Sequence, residues 1–403
     1  MLRRLILALA LIAVPVCAFA QLTPPPENVR IVGYYFGPTS QRGFPVSAIK
    51  GDLLTHVNYA FANISADGRA VLGDACIDVG ECAGQPSPHT RPGGNFAELR
   101  RLKQRYPHLR TLISIGGWSW SGRFSDVAAT PEARRRFTES VINTFFTKHP
   151  GVFDGVDIDW EYPVAGGMEG NRGRPEDRAN YTLLISELRS ALDRIGRPER
   201  KWYLLTIGAG AGLGHIRHLE VPALARKLDF INVMAYDYHT GGAIAHFNAP
   251  LDAAAGDPTP ENTARASIEA YIAAGAPPAK LVLGVPFYGY GYAGVDSARK
   301  GLFQKGSTKA DDNGAANPWT GALRFYRIAE ARRSGFTRYW DAKASVPWLY
   351  DARTRTWITY DDTESLGLKA DFARTRKLGG IMIWELSGDD GTLLPAIHKR
   401  LTR

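Results

Sequence analysis

Residues 153–163 read Phe-Asp-Gly-Val-Asp-Ile-Asp-Trp-Glu-Tyr-Pro. Side chains alternate between the two faces of an extended strand, so Asp157, Asp159 and Glu161 share one face while Val156, Ile158 and Trp160 share the other. One face is acidic and the other apolar. In a closed barrel the apolar row packs against an outer layer of helices, and the acidic row points inward and climbs toward the strand's C-terminal end. Asp154 falls on the opposite face from the acids and is read as structural.

Seven further short apolar runs, rich in Val, Ile, Tyr and Phe, surround this one: 31–36, 55–61, 111–117, 203–209, 229–236, 281–287 and 379–386. Helical patterns separate them. Thr130 and Pro131 read as a cap and first turn ahead of Phe137, Val141, Ile142 and Phe145, and a second helix runs from Pro175 through Tyr181, Leu184, Ile185, Leu188 and Leu192. Repeated strand and helix with buried strands argues for parallel pairing. Eight such units predict an α/β fold, a (β/α)8 TIM barrel, because the competing open sheet lacks a glycine-rich dinucleotide turn. Between strand 7 and helix 7 the chain changes character. Residues 319–336 predict one amphipathic helix, flanked by aromatic, strand-like pieces at 337–342, 346–351 and 356–362. We read 291–360 as a small α+β insertion on a βα loop, where it would wall the mouth of a barrel formed by 21–290 and 361–403.

The chain has 403 residues, 44% hydrophobic and 22% charged, which excludes disorder, collagen and coiled coil. Its formal charge of +9 comes from scattered Lys and Arg with no basic block, so nucleic acid is not an expected partner. Residues 1–20 carry Arg3 and Arg4, an apolar run from Leu5 to Val16, and Ala18 and Ala20 in a small-x-small cleavage pattern before Gln21. This predicts a signal peptide and a secreted protein, extracellular or periplasmic. A lipoprotein signal at Cys17 lacks the small residue such signals carry before the cysteine. No run is long enough for a membrane span. Removal of Cys17 leaves Cys76 and Cys82, which export and an even count pair as a disulfide, with two free loop thiols as the alternative.

Three carboxylates about 7 Å apart along a strand cannot all ionise freely, so a proton is shared. That suits a protonated Glu161 as general acid. A divalent metal would need further acid or His ligands, and the nine histidines show no HExxH or paired spacing. No metal and no cofactor are expected.

The sequence resembles a known family. DGVDIDWEYP (154–163) is similar to the DxxDxDxE signature of glycoside hydrolase family 18, the chitinases. SIGGW (114–118) resembles the family's third-strand SxGG motif and MAYDY (234–238) its sixth-strand MxYD motif, while GYYF, GVPFYG, ITYDDTES and GGIMIWEL occupy the expected order. The likeness runs from about Ile31 to the end and is strongest to bacterial secreted chitinases carrying an α+β insertion after the seventh strand. It implies substrate-assisted catalysis with retention: Glu161 protonates the glycosidic oxygen, and the substrate's own 2-acetamido oxygen attacks the anomeric carbon. Asp159 would turn from Asp157 toward Glu161 and the acetamido N–H, Tyr236 would bind the acetamido carbonyl, Asp237 would hold sugar hydroxyls, and Ser114 would support Asp157.

The resemblance also implies an aromatic cleft. Trp384 would floor the subsite of the distorted sugar and Trp118 would form a platform on the leaving side, with Tyr35, Phe61 and Met234 completing the lining. Trp120, Trp340 and Trp348 are weaker candidates, and Trp160 points outward by parity. One departure is visible: Tyr290 stands where relatives carry the arginine of FYGR. The implied protein is a monomeric secreted chitinase acting on chitin or chitooligosaccharides. An endo-β-N-acetylglucosaminidase is disfavoured by the insertion's groove, and a non-catalytic chitin-binding lectin by the intact Asp157, Asp159 and Glu161.

Overall fold

The computed structural model describes residues 29–85, 87–309 and 317–403. The expected signal peptide lies outside the described residues. Seven barrel strands come first, the second of them also pairing antiparallel with a two-residue strand at Ala70–Val71: β1 (Arg30–Phe36), β2 (His56–Ile64), β3 (Arg110–Gly116), β4 (Gly155–Asp159), β5 (Leu204–Gly210), β6 (Phe230–Met234) and β7 (Leu281–Pro286). Five more, β8 (Tyr288–Tyr292), β9 (Gly321–Arg324), β10 (Thr337–Asp341), β11 (Val346–Asp351) and β12 (Thr356–Thr359), precede the last, β13 (Gly380–Trp384). Strands β1 to β7 and β13 pair in parallel, and β1 bonds both β2 and β13, which closes the ring. The architecture is a (β/α)8 TIM barrel.

Local chemistry starts the outer helices. Helix α1 (Gly94–Arg105) follows β2, and α2 (Pro131–Val141) follows β3. Thr130 Oγ1 accepts from Ala133 N at 3.2 Å, with Pro131 in the first turn where its missing N–H costs nothing. Helices α3 (Asp177–Glu199), α4 (Val221–Lys227) and α5 (Ala264–Ala273) complete the next three units. After α6 (Phe325–Arg333) in the insertion come α7 (Thr363–Thr375), opened by a capping box of Asp362 and Ser365, and α8 (Leu393–Leu401). The first unit has 3-10 turns in place of an α-helix.

The barrel separates two apolar layers. Outside, Val156, Ile158 and Trp160 of the acidic segment join the main core, where Trp160 stacks on Phe124 at 5.4 Å and meets the edge of Tyr181 at 5.1 Å. Inside, Val32, Tyr34, Phe230, Val282 and Met382 form a smaller cluster.

The second sheet is antiparallel, in the order β9-β8-β12-β11-β10, with its own core of Phe247, Tyr292, Trp348, Tyr350 and Trp357. Residues 319–336 are not one helix. Gly321–Arg324 instead pairs with β8, Arg324 opposite Tyr288, and the helix begins only at Phe325. Ladder bonding to a neighbouring strand overrides a helical pattern that the residues themselves permit. The sheet also starts at Tyr288, so a boundary at 291 divides its first strand. Only Phe287 separates β7 from β8. On the return path Lys369 of α7 and Asp361 form an ion pair at 2.7 Å, each side chain about 1% exposed.

Candidate active site

Asp157 lies at mid-height in the barrel, and four strands each supply it with a donor. Tyr34 Oη (2.7 Å) and Ser114 Oγ (2.7 Å) donate to Oδ2, while Thr206 Oγ1 (2.5 Å) and Asn232 Nδ2 (3.3 Å) donate to Oδ1. Burial pushes its carboxyl above the ordinary aspartate range, and the four donors oppose that push. Asp159, one pleat higher, has no such support: its buried Oδ1 finds no partner among the described residues. Burial, then the charges of Glu161 and Asp157, raise its carboxyl well above the usual value. Gly208 on β5 makes room for this carboxylate, since a Cβ there would lie 2.5 Å from Asp159 Oδ1.

Glu161 leaves the top of β4, fixed by its backbone. Its N–H donates to Ser121 Oγ at 2.8 Å and its carbonyl accepts from Asn171 Nδ2 at 2.9 Å. Burial raises its carboxyl to about 7; a hydrogen bond from the Tyr162 hydroxyl holds it down and the Asp237 charge adds to the rise. Tyr236 and Asp237 follow β6. Asp237 takes a left-handed backbone conformation (φ 60°), its N–H donates to Asn248 Oδ1 at 3.1 Å, and Tyr288 Oη donates to its Oδ1 at 2.7 Å. Burial lifts the Asp237 carboxyl to about 6 against that donor. The Tyr236 ring meets Tyr288 edge-on at 6.2 Å, and its hydroxyl faces Met382 Sδ at 3.9 Å. The result is a pair of neighbouring carboxyls that burial drives toward their protonated forms, one with a buried oxygen left without a donor, and a tyrosine hydroxyl on the same cavity.

These groups open into a cleft of about 910 Å³. Trp384 lies in its wall against Tyr34 (5.6 Å), Phe61 (5.6 Å) and Phe36 (6.4 Å). Trp118 stands at the rim, 52% exposed, and Trp120, Met234 and Tyr290 also line the cavity. Phe61 reaches it because β2 shifts register between Ala60 and Ala62. The peptide bonds Ala60–Phe61, Glu161–Tyr162 and Trp384–Glu385 are cis.

Tyr35 is a correction. It is buried outside the barrel between Phe44 and Tyr59 and donates to Phe44 O at 2.8 Å. Alternation along β1 turns Tyr34 inward instead. Asp154, on the outer face, pairs with Lys103 (2.8 Å) and Lys201 (3.1 Å). Trp348 belongs to the insertion's core, and Trp340 stacks under Arg338 at 5.2 Å, outside the cleft lining. Cys76 and Cys82 are joined as a disulfide in the segment after β2. Among the described residues no group of three His, Cys, Asp or Glu is arranged to hold a metal ion.

Sequence reading missed Tyr34, Thr206, Asn232, Tyr162 and Tyr288. The first three follow from the alternation rule applied to strands β1, β5 and β6. Tyr162 lies beyond the end of β4, and Tyr288 opens β8 in the second sheet, so the parity of the barrel strands carries no information on either.

An acid ladder inside a (β/α)8 barrel, opening into an aromatic cleft, is the architecture of a glycosidase. The model for glycosyl hydrolases family 18 matches residues 30–389, and the chain belongs to that family. Chitinase A1 of Niallia circulans is 40% identical over 90% of this chain, which spans 57% of that protein's length. Among solved structures, chitinase ChiA74 from Bacillus thuringiensis superposes with a TM-score of 0.84 at 36% identity, covering 93% of this chain and 70% of that one. A family 18 N-acetylglucosaminidase from Paenibacillus barengoltzii gives 0.77 at 32% identity, covering 93% and 100%.

Proposed function

We propose that the protein is a secreted chitinase that hydrolyses β-1,4-linked N-acetylglucosamine chains with retention. The observation that carries this reading is the contrast between Asp157, held by four donors, and Asp159, with a buried oxygen left unpartnered. A carboxyl poised between two acids and lacking a donor of its own is suited to turn toward an incoming N–H. In this reading Glu161, protonated up to about pH 7, gives its proton to the glycosidic oxygen. The substrate's acetamido oxygen then closes on the anomeric carbon, displacing the leaving sugar and forming an oxazolinium ring. Asp159 accepts a hydrogen bond from the acetamido N–H and balances the ring's positive charge, while the Tyr236 hydroxyl donates to the acetamido oxygen. Water, deprotonated by Glu161, opens the ring from the face the leaving group vacated, so two inversions give net retention. Asp237 holds a sugar hydroxyl, and Trp384 and Trp118 stack on apolar sugar faces.

The test is time-resolved product analysis, with anomer assignment, on N-acetylglucosamine hexamer. The expected first products are β-anomeric oligomers, and Glu161→Gln should lower the rate at least about 10²-fold. First-formed α-anomers would overturn retention, and tight binding without cleavage would make the protein a lectin. N-terminal sequencing of exported protein checks secretion, with Gln21 as the expected first residue.

A further inference from the structure

The Glu161 carboxyl, proton donor in the proposed mechanism, accepts a hydrogen bond from the Tyr162 hydroxyl. What holds the tyrosine ring in place comes from the next unit of the barrel. The ring is half-buried and packs on one side against the inner apolar cluster. On another side it meets the imidazole of His215, with ring centroids 4.0 Å apart and planes tilted by 38°. His215 belongs to the short helical turn Leu213–Ile216 that follows β5. The backbone is shaped for this contact. A Cβ on Gly210, the last residue of β5, would lie 2.7 Å from His215 Cγ and 2.8 Å from Tyr162 Cε1, so only glycine admits both rings. Beside them is a void of about 10 Å³, walled by Trp160, Ile207, Gly208 and Ala209 as well as by the two rings. Removing the imidazole would merge that void with its own volume and leave the Tyr162 ring unsupported on this side.

His215 also lines the cleft, yet no step of the proposed mechanism uses it. Its Nδ1 is buried without a partner among the described residues, and burial, then the charge of His218, hold the imidazole below the ordinary histidine range. The ring is therefore uncharged where Glu161 titrates. Asp159, Asp237, Tyr162 and Tyr236 are the titratable groups that face Glu161, and His218 faces His215. We propose that His215 is a positioning residue: its ring holds Tyr162 so that the tyrosine hydroxyl stays on the Glu161 carboxyl. This rests on the reading of Glu161 as general acid and adds what keeps its proton affinity fixed. A neutral ring brings no charge to Glu161, so it acts only through the tyrosine.

The titration of Glu161 tests this without substrate. Its carboxyl is followed by carbon NMR in protein labelled at glutamate Cδ, the signal being identified by its loss in Glu161→Gln. His215→Ala should raise the midpoint by about one pH unit, as Tyr162→Phe does, because a hydrogen bond to a charged group is worth about that much. His215→Phe keeps a flat ring against the tyrosine and should keep the parent midpoint. The double variant His215→Ala/Tyr162→Phe should titrate as Tyr162→Phe alone. An unmoved midpoint in His215→Ala, or shifts that add in the double variant, would overturn the proposal, and so would His215→Phe titrating like His215→Ala. Should His215→Ala not fold, His215→Gln, which has no ring, carries the same test with the same expected shift. Hexamer hydrolysis by these variants keeps the two readings apart. An alkaline limb that ignores the midpoints, or a parent that cuts nothing, removes the catalytic role of Glu161, and the NMR cycle still decides what His215 does.

Discussion

The hydroxyl of Tyr34 on β1 reaches across the barrel interior and donates to Asp157 Oδ2 at 2.7 Å, the same oxygen that Ser114 holds. Tyr34→Phe removes one of four donors from a buried carboxylate, which disfavours the charged form of Asp157. A hydrogen bond to a charged group is worth about 1.5 to 3 kcal/mol, so a fall in kcat of about tenfold or more is expected. The acidic limb of the pH profile should move to higher pH, because Asp157 then holds its proton more tightly. An unmoved limb would mean that this donor only packs.

In the proposed mechanism Glu161 is the general acid and sets the alkaline limb. Burial brings Glu161 to about 7, and it must be protonated to act, so activity should fall as pH rises through that value. Tyr162→Phe removes the hydrogen bond that lowers this value, and its limb should move to higher pH. Asp237→Asn removes a charge that raises it, and its limb should move to lower pH. Opposite shifts from two neighbours distinguish electrostatics from misfolding.

The same shift has a sign for stability. Folded Glu161 binds its proton up to about 7 against an ordinary value of 4.5, so between those values the folded state holds more protons than the unfolded. Its contribution is greatest at low pH and is lost as pH rises through the folded value. Glu161→Gln should therefore raise the unfolding temperature more at about pH 8 than at about pH 4. Equal shifts at both pH values would contradict a raised carboxyl.

Gly208 tests the space around Asp159. In Gly208→Ala the new methyl would compete for the place of Asp159 Oδ1 and displace the carboxylate. A displaced catalytic group can cost about 10²-fold in kcat, with the hexamer KM far less affected. A variant with normal kcat would show that Asp159 need not occupy that position.

Lys369 and Asp361 stabilise the junction between insertion and barrel. Lys369→Met would leave a buried carboxylate without its cation and should cost about 3 to 5 kcal/mol in unfolding free energy. Adding Asp361→Asn should restore much of the loss, and denaturant titration of the three variants measures it.

The acidic ladder was legible because alternation and burial acted together: acids at 157, 159 and 161 could only share a face. The same rule assigns Tyr34, yet the run GYYF offers two adjacent tyrosines, and register decides between them. Phe61 reaches the cleft through a shift in ladder pairing that no periodicity encodes. Residues 321–324 pass for helix because their own pattern fits one, and the strand exists only through its partner β8. Asp157's donors come from strands up to about 120 residues away, so their convergence on one carboxylate is a property of the closed ring. No single run contains it.

Phe287 is the only residue between the barrel strand β7 and the insertion strand β8, and both its backbone groups are committed. Its N–H donates to Trp384 O at 2.8 Å, on the barrel, and its carbonyl accepts from Phe325 N at 2.9 Å, at the start of the insertion's helix. There is no slack for a hinge. Moving the insertion relative to the barrel at this point would break the bond that holds the Trp384 carbonyl, so the second sheet and the cleft wall that carries Trp384 are tied together at one residue. The side of the groove that the insertion supplies is therefore set when the chain folds, before anything enters it.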